Sequence, residues 1–173
     1  DKHMGRLEYH DFLDFIGWAE IPFWRELRKR FKIKLKVKQL ADLRSKAYQR
    51  LLRKSRLKPF PGVLQFLKAL KKAGKPYAIA SSSPRVQIRA TLSSSGLRPL
   101  FKVYVSGHDD VKRGKPHPDA YLKAAKLIGI NPKTAIAFED SDSGAQAAQA
   151  AGCRVFRIGG ETGCRDFNRF SFL

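Results

Sequence analysis

The stretch TAIAFEDSDSG, running from Thr134 to Gly144, decides how this chain is read. Its first five residues are apolar enough and short enough for a buried strand. They lead straight into three carboxylates within four residues, Glu139, Asp140 and Asp142. Beyond Gly144, GAQAAQAA has the composition of a helix and stops at Gly152, and RVFRI (154–158) reads as another strand. Residues 134–158 therefore predict one β–α–β unit.

The same alternation extends upstream. Residues 61–73 (PGVLQFLKALKKA) predict a helix stopped by Gly74, and PYAIA (76–80) predicts a buried strand. Pro84 opens a helix that runs to Gly96, KVYVS (102–106) is a strand, and a helix spans Pro118 to Gly129. Repeated β–α–β units joined by short loops require a parallel sheet covered by helices on both faces. Ligands of such sheets sit beyond the carboxyl ends of the strands.

Before Pro59-Phe60-Pro61-Gly62 the pattern is helical only. Pro22 suits the first turn of PFWRELRKRF, and Val37, Leu40, Leu43, Ala47 and Leu51 recur at three- and four-residue steps, predicting two amphipathic helices. The expected organisation is a helical part over residues 1–58 and an α/β core over 59–173.

The 173 residues suit one core with a small addition and exclude two large independent domains. A hydrophobic share of 43% argues against a disordered or fibrous chain. No apolar run is long enough for a membrane helix, and DKHMGRLEYHDF does not resemble a signal peptide, so no membrane partner and a cytoplasmic location are expected. Cys153 and Cys164 are too few for a disulfide framework and are expected as free thiols.

The net charge is +20, and it is concentrated. Between Arg25 and Lys58 there are 15 basic residues against Glu26 and Asp42, enough for a positive field on one part of the surface. A solvated helix face accounts for it more simply than nucleic acid or another polyanion, because no zinc finger, RNP-type aromatic motif or heptad repeat accompanies it. A field that attracts phosphorylated metabolites is compatible with both readings.

Three strand ends carry polar residues suited to phosphate and metal. After 76–80 come Ser81-Ser82-Ser83-Pro84-Arg85, where hydroxyls and backbone N–H groups open onto a helix N-terminus. Ordinary helix capping explains that run equally. After 102–106, Lys115 stands between Gly114 and Pro116 in GKPHPD, a stiffened ammonium able to neutralise a phosphoryl charge, or simply part of a turn before a helix. After 134–138, the three clustered carboxylates repel one another unless a cation or donors compensate them, and capping accounts for only one. Mg²⁺ takes oxygen ligands, keeps waters and shares substrate phosphates, so it is the natural cation.

In this order, Ser81 after a strand, GKPHPD with Lys115, FEDSDSG and AAGCRVFRIGG, the sequence resembles the haloacid dehalogenase superfamily, in its β-phosphoglucomutase-like branch of phosphatases and phosphomutases. The resemblance covers about residues 59–160, and the helical part before it resembles that branch's cap. It implies an α/β, Rossmannoid parallel sheet with helices on both faces plus a partial α-helical cap. It also implies Mg²⁺-dependent phosphoryl transfer through an aspartyl-phosphate on a small phosphorylated metabolite. On the matching positions, Ser81 would hydrogen-bond the phosphoryl oxygens with Ser82 beside it in the anion site. Lys115 would be catalytic, steadying nucleophile and phosphate, and Glu139 and Asp140 would hold Mg²⁺ directly or through water.

The chain departs from the family pattern at one point. Members of the family carry D-x-D-G-T/S after an early apolar strand, its first Asp being the nucleophile, and no such motif stands here. Asp11 and Asp14 are three apart and follow no strand-like run, while Asp140-Ser141-Asp142 lies downstream of the Lys115 segment. The expectation is a chain that begins inside the cap and is inactive by itself: a fragment, a pseudoenzyme, or a site completed by another polypeptide. In the family the nucleophile strand lies between those expected here at 76–80 and 134–138, so these two should not pair. The rival reading is a non-catalytic protein that uses its basic helices on nucleic acid or another polyanion.

Overall fold

The computed structural model describes residues 20–54 and 56–159, which form two compact units divided between Leu51 and Leu52. Asp11, Asp14 and Cys164 lie outside the described residues.

In the first unit, α1 (Glu20–Arg30) and α2 (Val37–Lys54) are joined by a short turn. Trp24, Leu27, Ile33 and Leu40 form its buried cluster, with Phe23, Phe31, Leu35, Val37 and Ala41 packed against them. The Gln39 side chain accepts the Lys36 N–H at 2.8 Å, closing the first turn of α2 as one half of a capping box. The apolar stripe expected along α2 is buried only at its start. Leu40 is buried, whereas Leu43, Ala47 and Leu51 are exposed. Leu52, one position off that stripe, is buried instead near the end of the helix.

The second unit alternates as the sequence predicts. In order come α3 (Val63–Lys72), β1 (Ile79–Ser81), α4 (Arg85–Ser94), β2 (Tyr104–Ser106), α5 (Asp119–Leu127), β3 (Ile136–Glu139), α6 (Asp142–Ala150) and β4 (Arg154–Arg157). Gly74, Gly96 and Gly129, each just past a helix, take left-handed φ values of 63°, 70° and 70°, the stop expected of them. The strands begin later than their apolar runs. Pro76 cannot donate to a ladder, and Tyr77 instead donates its hydroxyl to the Leu100 carbonyl at 2.8 Å. Pro132–Thr134 form a 3-10 turn capped by Asn131, so β3 starts only at Ile136.

β1 pairs in parallel with β2, placing Ser81 opposite Ser106, and β3 pairs in parallel with β4, placing Glu139 opposite Arg157. Among the described residues these remain two separate pairs, and β1 and β3 do not hydrogen-bond to each other. The sheet is thus divided where the family's central strand was expected.

Both faces of the β3–β4 pair are covered. Phe138 meets Phe66 of α3 edge-on at 5.6 Å and stacks with Phe156 at 5.9 Å. Strand alternation sends its neighbours to the opposite side. There Ala137 joins Ala148, Ala151 and Cys153 in a buried cluster flanked by Tyr121 and Val155. Val105 of β2 packs with Ala120 and Ala124 of α5. Alanine on the inner faces of α5 and α6 lets the helices lie close to the strands, so the ends of β2 and β3 are brought to one side of α5.

Candidate active site

The alternation along β3 buries an acid. Glu139 is the last residue of the strand, not the first of the loop, and it shares the buried face with Ala137. Its side chain is 5% exposed. A carboxylate there requires donors, and it has two on one oxygen. Lys115 Nζ and the Tyr121 hydroxyl both donate to Glu139 Oε1. The Lys115 side chain is itself only 8% exposed, so this is a buried ion pair. Its ammonium also lies 5.2 Å from the centroid of the Tyr121 ring. Burial foremost, then the hydrogen bond to Glu139 and its charge, pushes the Tyr121 phenol well above its usual value, so the hydroxyl remains a donor.

The second oxygen is fixed by α6. Ser141, the N-cap of that helix, accepts the Gly144 N–H at 3.1 Å and lies 3.4 Å from Glu139 Oε2. Gly144 is buried, and a Cβ placed on it would overlap the Glu139 carboxylate. Glycine is needed here for close approach of a side chain, not for an unusual φ.

The segment carrying Lys115 is pinned on both flanks. The Arg113 guanidinium pairs with Asp119 at 2.9 Å and 3.3 Å, and the His117 N–H donates to the Gly114 carbonyl at 3.0 Å. This segment also approaches β1. The Gly107 N–H donates to the Ser81 carbonyl at 2.6 Å, and a Cβ on Gly114 would lie 3.5 Å from the Gly107 carbonyl oxygen. Ser81, Lys115 and Glu139, read from three separate strand ends, are therefore carried by segments in direct succession.

The Ser81–Arg85 run is partly occupied by the protein itself. Ser81 Oγ accepts the Ser83 N–H at 3.2 Å and keeps its own proton to donate, while Ser82 is exposed. The Arg85 N–H at the start of α4 is taken by Asp109 Oδ2 at 2.6 Å, so this helix end is not wholly free for an outside anion. Asp110 accepts the Ser106 N–H at 2.7 Å and the Arg85 guanidinium at 2.6 Å. Burial pushes the Asp110 carboxyl up, but those donors outweigh it and hold it below its ordinary value. Fully buried Ser106 completes the knot by donating to the Ser83 carbonyl at 2.8 Å.

Asp140 follows β3, is exposed, and among the described residues makes no hydrogen bond or ion pair. Asp142 opens α6 and pairs with Arg157 at 2.9 Å. Among the described residues no three acidic, His or Cys side chains converge as a metal group. What stands at the end of β3 is one free carboxylate, Asp140, beside a second already engaged. That donor set fits an ion such as Mg²⁺, which takes one or two protein carboxylates and draws its remaining oxygens from water and phosphate.

Tyr121 was not singled out from the sequence. It lies two residues beyond the GKPHPD segment on a helix face otherwise buried through Ala120, Ala124 and Ala125, so a polar ring on an alanine face was its only signal.

Comparison with known proteins gives concordant results. A family model described as haloacid dehalogenase-like hydrolase matches residues 2–152. Hexitol phosphatase A of Escherichia coli is 42% identical over 98 residues, which are 57% of this chain and 44% of that protein. A phosphorylated carbohydrates phosphatase of Thermotoga maritima is 37% identical over 103 residues, 59% of this chain and 47% of that protein. The chain thus spans about half the length of these curated relatives. Among solved structures, a HAD hydrolase of family IA, variant 3, from Entamoeba histolytica superposes with a TM-score of 0.80 at 26% identity, covering 96% of this chain and 81% of that one.

Proposed function

The chain belongs to the haloacid dehalogenase-like hydrolases, and from that premise we propose that its strand ends form the phosphate-binding half of a Mg²⁺-dependent phosphatase or phosphomutase site. The substrate class is a small phosphorylated metabolite, a sugar or sugar-alcohol phosphate being favoured by the names of the two curated relatives. The carrying observation is the buried Lys115 ammonium held by Glu139 at the end of β3. A cation kept in place at a strand end, with little water around it, is suited to neutralise a phosphoryl group. Ser81 would donate its hydroxyl proton to a phosphoryl oxygen, and exposed Ser82 would flank it. Asp140 would hold Mg²⁺, with Glu139 reaching the ion through water. When bound, the metal would supply further charge neutralisation of the phosphoryl oxygens.

Covalent transfer needs a nucleophile aimed at the phosphorus, and neither Ser81 nor Asp142 stands where the family's nucleophile belongs. The proposal therefore assigns binding without turnover to this polypeptide by itself.

Thermal melts with inorganic phosphate and Mg²⁺ test this reading. A ligand that binds only the folded state raises its stability by about 2.7 kcal/mol at a hundred times its Kd. The rise should vanish in Lys115→Met and shrink in Ser81→Ala, and its Mg²⁺-dependent part should vanish in Asp140→Asn. A phosphate response that persists in Lys115→Met but disappears with added salt would transfer the binding to the basic helices and favour the polyanion reading.

A further inference from the structure

Lys115 faces a conflict in this arrangement. In the free protein its ammonium belongs to Glu139, yet the proposed function, on which this inference rests, requires it to serve a phosphoryl group. Withdrawing a cation from a buried carboxylate is costly, because the charge left behind has no solvent to replace its partner. Glu139 is 5% exposed, and its Oε2 faces Ser141 and Gly144, neither of which carries a charge to replace the ammonium.

Tyr121 removes much of that cost. Its hydroxyl donates to Oε1, the same oxygen that Lys115 uses, so Glu139 retains a strong charge-assisted hydrogen bond after the ammonium turns away. The ring is anchored independently of the ion pair, since it packs on the cluster of Ala137, Ala148, Ala151 and Cys153. Lys115 carries three N–H donors on a flexible stem and can exchange one between acceptors. The ring also lies 5.2 Å beneath the ammonium, offering it a face to move across.

We propose that Tyr121 is a positioning residue that releases Lys115 to bound phosphate by keeping Glu139 Oε1 hydrogen-bonded. Without the hydroxyl, Glu139 Oε1 depends on Lys115 alone and competes with phosphate for it. The effect requires the carboxylate charge, so it should disappear when residue 139 is neutral.

Calorimetric titration with inorganic phosphate in Mg²⁺ buffer tests the proposal on four proteins: wild type, Tyr121→Phe, Glu139→Gln, and the double variant. Phenylalanine keeps the ring and its packing, so the fold is retained. The expected result is a Kd at least fivefold weaker in Tyr121→Phe than in wild type. Glu139→Gln sets the neutral background, and the double variant should lie within twofold of it. A Tyr121→Phe protein within twofold of wild type would overturn the proposal. So would an equal loss in both backgrounds, since the tyrosine would then act through packing. Absence of phosphate binding by wild type would overturn the proposed function itself, and this inference with it.

Discussion

Substituting Gly144 by alanine would ordinarily stabilise a helix, by about 1 kcal/mol in its interior. Here the structure predicts the reverse. The added methyl overlaps the Glu139 carboxylate, which is held by Lys115 and Tyr121 on one oxygen and faces Ser141 on the other. Either α6 shifts away from β3, an overpacking strain of about 1–3 kcal/mol, or the carboxylate leaves its partners, with a loss of about 3–5 kcal/mol for a broken buried pair. After the helix gain is set against these, the expected destabilisation is about 2 kcal/mol at the upper end of strain and the lower end of rupture. For a chain of this size that lowers Tm by about 4–8 °C. Urea denaturation followed by far-UV circular dichroism measures it, with the same substitution repeated in a Glu139→Ala background. With the carboxylate gone, the methyl fits, and Gly144→Ala should be neutral or stabilising. Equal destabilisation in both backgrounds, or none in either, would refute the claim that residue 144 is glycine to admit Glu139.

Two further expectations concern the elements beside the site. Ser141→Ala removes the hydroxyl that caps α6 and should cost about 1 kcal/mol, while Ser141→Thr, which keeps the hydroxyl, should retain most of the capping, as thermal melts would register. Asp110 is held below the ordinary 3.8 in the folded chain, so its contribution is complete above that value and is lost as pH falls through the lower folded one. Asp110→Asn should therefore lower Tm at neutral pH and flatten the fall in Tm between about pH 5 and pH 2, and a variant whose acid profile parallels wild type would contradict the role given to the Arg85–Asp110 clamp.

Much of this arrangement was legible in local sequence. Glycines after apolar helices, short apolar runs and the prolines of the loops sufficed for the order β–α–β in the second unit, because each is a local backbone effect. Lys115 and Glu139 were legible as charged groups at strand ends, but their partnership was not. It depends on β3 extending one residue further than its apolar run, which turns Glu139 inward to the face of Ala137. Tyr121 enters through the packing of α5 on the sheet, a tertiary contact that leaves no periodic trace. The exposure of Leu43 and Leu51 on α2 was hidden for a related reason: periodicity reports a helix's apolar face, not whether another element covers it. The acid knot at Ser106 likewise links residues 20 and more apart, and nothing in GHDDVKR alone announces that Asp109 and Asp110 hold the start of α4.

The central claim is that a phosphate-like anion binds between the ends of β1 and β3 on Lys115. Crystals of the chain soaked with tungstate and Mg²⁺ test it most directly, because tungsten's anomalous signal locates the anion without assumptions about the site. A peak that places the anion's oxygens within hydrogen-bonding distance of Lys115 Nζ and Ser81 Oγ is the predicted result. A peak confined to the basic residues of α1 and α2, with Lys115 still wholly engaged by Glu139, would contradict it.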